Sequence, residues 1–136
     1  MLVFVVIVLL IRNFPGSYQV GGNVGLYVNA NPSTIEPGGT STLEVELKNV
    51  NSKDEITATV KGQTFDDDIT FSEGDSKTYA SQSIKIGPEG VKRITVKVKS
   101  KASALQGKYP IDVTATAQGG DKSAQQRVFL TVEKSS

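Results

Sequence analysis

From Val24 onward the chain alternates apolar and polar residues with a period of two, and this constrains its fold more than any other feature. In the segment TLEVELKN, residues 42–49, Leu43, Val45 and Leu47 alternate with charged side chains. That pattern predicts a strand with one buried face and one solvated face. Gly- and Pro-rich turns separate successive runs, and no run shows the apolar spacing of a helix. The sequence therefore predicts an all-β fold with seven or eight antiparallel strands.

The apolar rows define a predicted core. They are Leu26, Val28 and Ala30; Leu43, Val45 and Leu47; Ile56, Ala58 and Val60; Ile94, Val96 and Val98; Tyr109, Ile111, Val113 and Ala115; and Val128, Leu130 and Val132. These side chains are mostly small and aliphatic, which favours two packed sheets over a barrel that holds a ligand. Val45, Val96 and Val113 lie in the middle of their rows and should point between the sheets.

The composition excludes most enzyme chemistry. The 136 residues include no His, Cys or Trp, so the chain has no thiol nucleophile, no imidazole base, no disulfide and no zinc site of the usual kind. A formal net charge of +1 argues against nucleic acid as a partner. We therefore expect a non-catalytic module without a cofactor.

The N-terminus carries a second signal. Residues 1–11, MLVFVVIVLLI, form an unbroken apolar run that is too short to span a bilayer as a helix. It has the length of a signal-peptide core but lacks a basic start and a cleavage site. We interpret residues 1–12 as a membrane-anchor or export segment, either whole or truncated. Residues 13–23 are interpreted as a linker and residues 24–134 as the sandwich. Burial in a partner subunit and a strand of the domain's own core are the alternatives.

Charge is distributed unevenly along the chain. Residues 51–75 hold two basic and seven acidic groups, whereas residues 76–136 hold eleven basic and four acidic groups. The acidic segment provides a candidate set of calcium ligands: Asp66, Asp67, Asp68, Glu73 and Asp75. Calcium binds six to eight oxygen ligands, but the spacing does not match an EF-hand. The sequence favours a solvated acidic loop and no metal.

A basic stripe on one strand is the candidate partner-binding surface. Its members are Lys92, Arg93, Lys97, Lys99 and Lys101. Lysines on an exposed strand also prevent sheets from pairing edge to edge, and this simpler role is favoured. The alternative is docking onto an acidic wall polymer or onto the acidic loop of a neighbouring copy.

Two local motifs should specify the fold. Pro37, Gly38 and Gly39 form a turn before the second long strand. Gly107 precedes Tyr109 at the start of a late strand, where a tyrosine hydroxyl commonly bonds to upstream backbone in sandwich domains.

These segments resemble a known family. NPSTIEPGGT followed by LEVELKN, and later ALQGKYPIDVTATAQGG with a final VFLTVEK, are similar to Ig-like modules of prokaryotic, especially archaeal, surface proteins of the CARDB and alpha-galactosidase-associated types. The resemblance covers residues 24–134. It implies an antiparallel Ig-like β-sandwich, an extracytoplasmic setting and no shared catalytic residues.

The expected function is therefore structural. We expect an adhesion or scaffold module at the cell surface, membrane-anchored or secreted, that binds a protein or cell-envelope polymer. One alternative is a subunit of an archaeal extracellular filament, similar in plan to archaellum-associated and pilin-like proteins, with its apolar N-terminus buried in neighbouring subunits. The other is an accessory domain of a secreted carbohydrate-active system.

Overall fold

The computed structural model describes residues 18–120 and 122–135. The apolar run at residues 1–11 and the first part of the predicted linker lie outside this range. The described residues form eleven strands and one short 3₁₀ turn, Glu73–Asp75. The strands are β1 (Gln19–Gly21), β2 (Val24–Asn31), β3 (Thr34–Ile35), β4 (Thr40–Asn49), β5 (Ile56–Thr64), β6 (Ile69–Phe71), β7 (Thr78–Ala80), β8 (Ile84–Ile86), β9 (Val91–Ser100), β10 (Gly107–Ala117) and β11 (Ser123–Val132).

The strands form two facing sheets. Sheet 1 has the order β1-β2-β4-β9-β6, and all of its pairings are antiparallel. Sheet 2 has the order β3-β11-β10-β5-β7, with β8 pairing beside β7 on β5. The single parallel pairing among the described strands joins β3 to β11. This arrangement confirms the predicted all-β sandwich.

The alternating rows fill the space between the sheets. Val45, Val96 and Val113 are 1%, 5% and 1% exposed, so the predicted orientation of these three side chains toward the core is confirmed. Leu26, Leu47, Ile111 and Leu130 are completely buried in the same core. Burying one such side chain stabilises the fold by about 1.5–3 kcal/mol, and the rows together provide its main stabilisation.

The strand count is higher than predicted because the sandwich uses very short strands at its edges. Thr78–Ala80 and Ile84–Ile86 form two separate strands, β7 and β8, which pair with different parts of β5. The segment 66–71 pairs only over Ile69–Phe71. Strands of two or three residues are too short to show an alternation, so the sequence pattern could not resolve them.

Part of the predicted linker belongs to sheet 1. Gln19–Gly21 pair with Val24–Leu26 through a tight turn at Gly22 and Asn23. Gly21 is buried against β11, since an added Cβ would lie 2.1 Å from the backbone carbon of Ser123. Glycine therefore allows this strand to pass close to sheet 2, in a segment that the sequence analysis assigned to a linker.

A glutamine connects the two sheets just beyond the point where the pairing of β2 with β1 ends. Gln126 of β11 accepts a hydrogen bond from Val28 N at 3.0 Å and donates one to Val28 O at 2.9 Å. The side chain thereby satisfies both backbone groups of a residue that β1 does not reach. Beyond Pro32 the chain continues into β3 and pairs with sheet 2.

Candidate functional site

The predicted acidic loop and the predicted basic stripe lie side by side in the same molecule. Pairing of β6 with β9 places Thr70 opposite Lys99. Lys99 Nζ lies 3.1 Å from Asp75 Oδ1, and Lys77 Nζ lies 2.8 Å from Asp67 Oδ1. Hydrogen bonding to these lysines lowers the pKa of both carboxyl groups. The two oppositely charged segments therefore compensate one another within one chain.

Three of the five candidate calcium ligands, Asp66, Asp67 and Asp75, form other contacts. Asp66 Oδ1 accepts a hydrogen bond from Asp68 N at 2.9 Å, and Asp75 Oδ1 also accepts one from Thr70 Oγ1 at 3.2 Å. Across residues 18–120 and 122–135, no group of three acidic side chains is placed to hold a metal ion. These three carboxylates stabilise the loop and the short β6 strand.

The basic stripe is divided by the register of β9. Arg93, Lys97 and Lys99 point away from the core, but Lys92 lies on the same side of the strand as Val96, and Lys101 follows the end of the strand. Arg93 Nε also forms an ion pair with Glu46 Oε1 at 2.6 Å. The five residues therefore do not form one continuous outer surface. In addition, β9 is covered by β6 over Val98–Ser100, so it is an edge strand only over its first part.

Glu46 has a role that alternation did not reveal. It points outward from β4, as predicted, but it is only 5% exposed because other side chains cover it. Its carboxylate accepts hydrogen bonds from the Tyr18 hydroxyl and from Arg93. Burial, together with the neighbouring carboxylate, raises the pKa of Tyr18. We call these three residues the Glu46 clamp.

The predicted turn before β4 has clear geometry. Gly39 N donates to Glu36 O at 2.8 Å, and Gly38 has a φ of 83°. Proline followed by a glycine with positive φ is the pattern of a type II turn. Gly38 N also donates to Lys101 O at 3.1 Å, which connects this turn to the end of β9.

Tyr109 forms the corner contact that its position suggested. Its hydroxyl donates to Leu105 O at 2.6 Å, four residues upstream, and its ring is buried. Burial raises the pKa of this phenol. Gly107 begins β10 opposite Val132, with open space where a Cβ would stand. The tyrosine thus stabilises the loop between β9 and β10.

The outer face of sheet 2 carries a cluster that the sequence did not predict. Phe129 lies opposite Pro110, and Phe65 follows Thr64, whose partner is Ile111. The two phenyl rings therefore lie at the same end of the outer face, where Phe65 is 51% exposed and Phe129 is 52% exposed. We call Phe65, Pro110 and Phe129 the aromatic cluster.

An ion pair connects the aromatic cluster to the centre of the face. Arg127 forms two hydrogen bonds with Asp112, Nε to Oδ1 at 2.7 Å and Nη2 to Oδ2 at 3.1 Å. The guanidinium carbon also lies 5.4 Å from the centre of the Phe65 ring, within cation–π range. Gln125 donates a further hydrogen bond to Asp112 at 3.3 Å. Hydrogen bonding to Arg127 lowers the pKa of Asp112.

Beside this ion pair lies a groove of about 630 Å³. Its lining combines polar side chains, among them Lys61, Asp112 and Gln125, with the apolar surface of Phe65 and Tyr79. The pairing register brings these side chains together. Thr114 of β10 lies between Lys61 of β5 and Gln125 of β11. Asp112 of β10 lies opposite Gln63 of β5. We call it the polar groove. Together with the aromatic cluster it forms the candidate binding face.

No family model matches this sequence, and no curated protein shows detectable sequence similarity to it. Similar solved structures place the chain in the Ig-like β-sandwich class. The CARDB domain of a Pyrococcus furiosus protein, solved in complex with di-metal ions, matches with a TM-score of 0.60 and 13% identity over 88% of this chain and 99% of that domain.

Two larger proteins contain similar domains. A structure of Escherichia coli alpha-2-macroglobulin matches with a TM-score of 0.64 and 15% identity, over 87% of this chain and 17% of that one. A family 123 glycoside hydrolase from Clostridium perfringens matches with a TM-score of 0.60 and 10% identity, over 82% of this chain and 28% of that one. This chain therefore spans a minor part of each larger protein, and at these identities the likeness shows the fold alone.

In the part of the chain that the structure describes, no helix has the length and apolar character needed to cross a membrane.

Proposed function

We propose that this chain is a non-catalytic, extracytoplasmic adhesion or scaffold module, and that it binds a protein or cell-envelope polymer through the outer face of sheet 2. The observation that carries the proposal is the aromatic cluster beside the polar groove. Two half-exposed phenyl rings on a rigid sheet, next to an arginine, have the composition of a binding surface. Solvent-facing sheet positions without such a role are usually polar.

Two further observations support this setting. The CARDB domain that matches along nearly its whole length is a non-catalytic type of module. The apolar run at residues 1–11 would provide a membrane anchor or export signal on the N-terminal side of the sandwich.

Cosedimentation with cell envelopes tests the proposal. The labelled full chain is incubated with envelopes from the organism that encodes it, and bound protein is measured against concentration. The double variant Phe65→Ser/Phe129→Ser should lose at least tenfold in affinity. Val20→Ser/Val50→Ser removes two exposed apolar residues elsewhere and should bind normally, since Val20 and Val50 are 59% and 39% exposed. Equal binding by both double variants, or no binding by the unmodified chain, would contradict the proposal.

A further inference from the structure

We propose that the polar groove binds an acidic polysaccharide. This inference rests on the proposed function, because it specifies which kind of envelope polymer the outer face of sheet 2 recognises. It follows from three properties of the groove: its hydrogen-bonding groups, its charge and the position of the aromatic cluster.

The groove offers the groups that a hydroxyl-rich ligand requires. The side chains of Gln63 and Gln125 each carry an amide donor and an amide acceptor, and Thr114 between them carries a hydroxyl. A sugar hydroxyl both donates and accepts, so it pairs well with amides and hydroxyls. These groups lie on β5, β10 and β11, three neighbouring strands of one sheet, in rows set by the register.

The groove is held in position before any ligand binds. Asp112 is tied to Arg127 by two hydrogen bonds and to Gln125 by a third. At the other end, Thr116 and Ser123 share a hydrogen bond of 2.7 Å between their hydroxyl oxygens. Binding to groups that are already ordered costs less conformational entropy than binding to a mobile surface.

Three lysines of this face favour an acidic ligand. Lys61 lies in the groove, Lys85 lies opposite Thr57 on the same face, and Lys108 lies beyond the aromatic cluster. None of these lysines forms an ion pair with a residue in the ranges 18–120 and 122–135, whereas the carboxylate of Asp112 is neutralised by Arg127. Along β5, Lys61 and Thr57 are about 13 Å apart, so the positive charges extend along the face. A polymer with repeated carboxylates would complement them.

The aromatic cluster distinguishes a saccharide from a protein partner. Energetically dominant apolar residues tend to lie near the centre of a protein–protein interface. Here the exposed rings of Phe65 and Phe129 lie at one end of the face, whereas the outward positions in the middle of β10 and β11 are polar. The apolar C–H face of a sugar ring could stack on either phenyl ring while the rest of the chain occupies the groove.

Binding of the full chain to immobilised polymers tests the inference. The probes are polygalacturonate and hyaluronate as acidic polysaccharides, dextran as a neutral one, and polyglutamate as an acidic polymer without sugar rings. We expect the two acidic polysaccharides to bind at least tenfold more tightly than dextran and polyglutamate. Lys61→Gln/Gln125→Ala should weaken that binding at least tenfold. Lys97→Gln/Thr95→Ala, on the outer face of sheet 1, should leave it unchanged.

Each other outcome overturns the inference. Equal binding to polyglutamate would show a general response to negative charge. Binding that does not change in the Lys61→Gln/Gln125→Ala variant would place the ligand elsewhere. No binding to any polysaccharide, with envelope binding that still depends on Phe65 and Phe129, would indicate a protein partner and leave the proposed function intact. If the unmodified chain does not bind envelopes at all, the proposed function itself is contradicted.

Discussion

The Tyr18 hydroxyl donates a hydrogen bond to the Glu46 carboxylate, 28 residues further along the chain and on the outer face of sheet 1. Arg93 donates to the other carboxylate oxygen at 2.6 Å, so Glu46 is held from both sides. Tyr18 also packs on Gly25, where an added Cβ would lie 3.1 Å from the tyrosine Cβ. These contacts fix the chain to sheet 1 immediately before β1.

The Glu46 clamp should contribute measurably to stability. Tyr18→Phe removes a donor to a buried carboxylate, and we expect a loss of about 1–2 kcal/mol in the free energy of unfolding. Urea denaturation would measure it. Tyr27→Phe is the control, because Tyr27 lies opposite Glu46 on β2 without a hydroxyl hydrogen bond to the described residues. Equal stabilities of the two variants would show that the clamp contributes nothing.

The orientation of the side chains on β9 can be tested with two adjacent substitutions. Val96→Asp places a carboxylate in the core, which costs several kcal/mol against a total stability of about 5–15 kcal/mol. We expect this variant to be unfolded at room temperature by circular dichroism. Lys97→Asp should remain folded with a similar melting temperature, since Lys97 is exposed on the outer face. Two folded variants of equal stability would show that Val96 does not face the core.

The corner hydrogen bond of Tyr109 should be worth about 1 kcal/mol. Tyr109→Phe keeps the buried ring and removes only the bond to Leu105 O. Tyr79→Phe is a matched control, because Tyr79 is a half-buried tyrosine whose hydroxyl has no hydrogen-bond partner in the described part of the chain. In urea titrations the first variant should lose stability and the second should not. A loss of the same size in both would mean that the corner bond has no specific effect.

Gly62 should not tolerate a side chain. A Cβ at this position would lie 2.5 Å from Cζ of Phe71, whose ring is buried in the core. Gly62→Ala should therefore destabilise the domain by about 1–3 kcal/mol through overpacking. Gly87→Ala, where a Cβ meets open space, should cost much less. Thermal unfolding of the two variants distinguishes them, and a Gly62→Ala variant as stable as the unmodified chain would show that this packing is wrong.

The ion pair of Asp112 with Arg127 predicts a pH dependence. The pKa of Asp112 is lowered from 3.8 in the folded state, so the folded carboxyl holds its proton less tightly than the unfolded one. Its contribution is complete above pH 3.8 and is lost as the pH falls through the lower folded pKa. Because Arg127 is 52% exposed, we expect a modest effect of about 1 kcal/mol.

Asp112→Asn tests this dependence. The variant should be less stable than the unmodified chain near neutral pH, and the difference should shrink toward about pH 2. Melting temperatures across that range would measure it. Glu36→Gln serves as the control, because Glu36 is exposed and forms no ion pair within the described residues. A difference for Asp112→Asn that stays constant with pH would contradict the assignment.

Alternation along the chain determined which residues enter the core. Val45, Val96 and Val113 were identified from their neighbours alone, because a strand turns successive side chains to opposite faces. The turn at Pro37 to Gly39 and the corner at Tyr109 are also local, with hydrogen bonds that span three and four residues. Features of this kind depend on the backbone conformation of a few consecutive residues.

Only the tertiary structure decided which outward side chains become neighbours. Phe65 and Arg127 meet because β5 and β11 both pair with β10 in a defined register, and Glu46 meets Arg93 across 47 residues of sequence. The acidic loop and its neighbouring lysines are a further example. In the sequence they read as two separate charged segments, but in the structure Asp67 pairs with Lys77 and Asp75 pairs with Lys99. The register is set by the combined packing of every strand in the sheet, so alternation within one strand cannot reveal it.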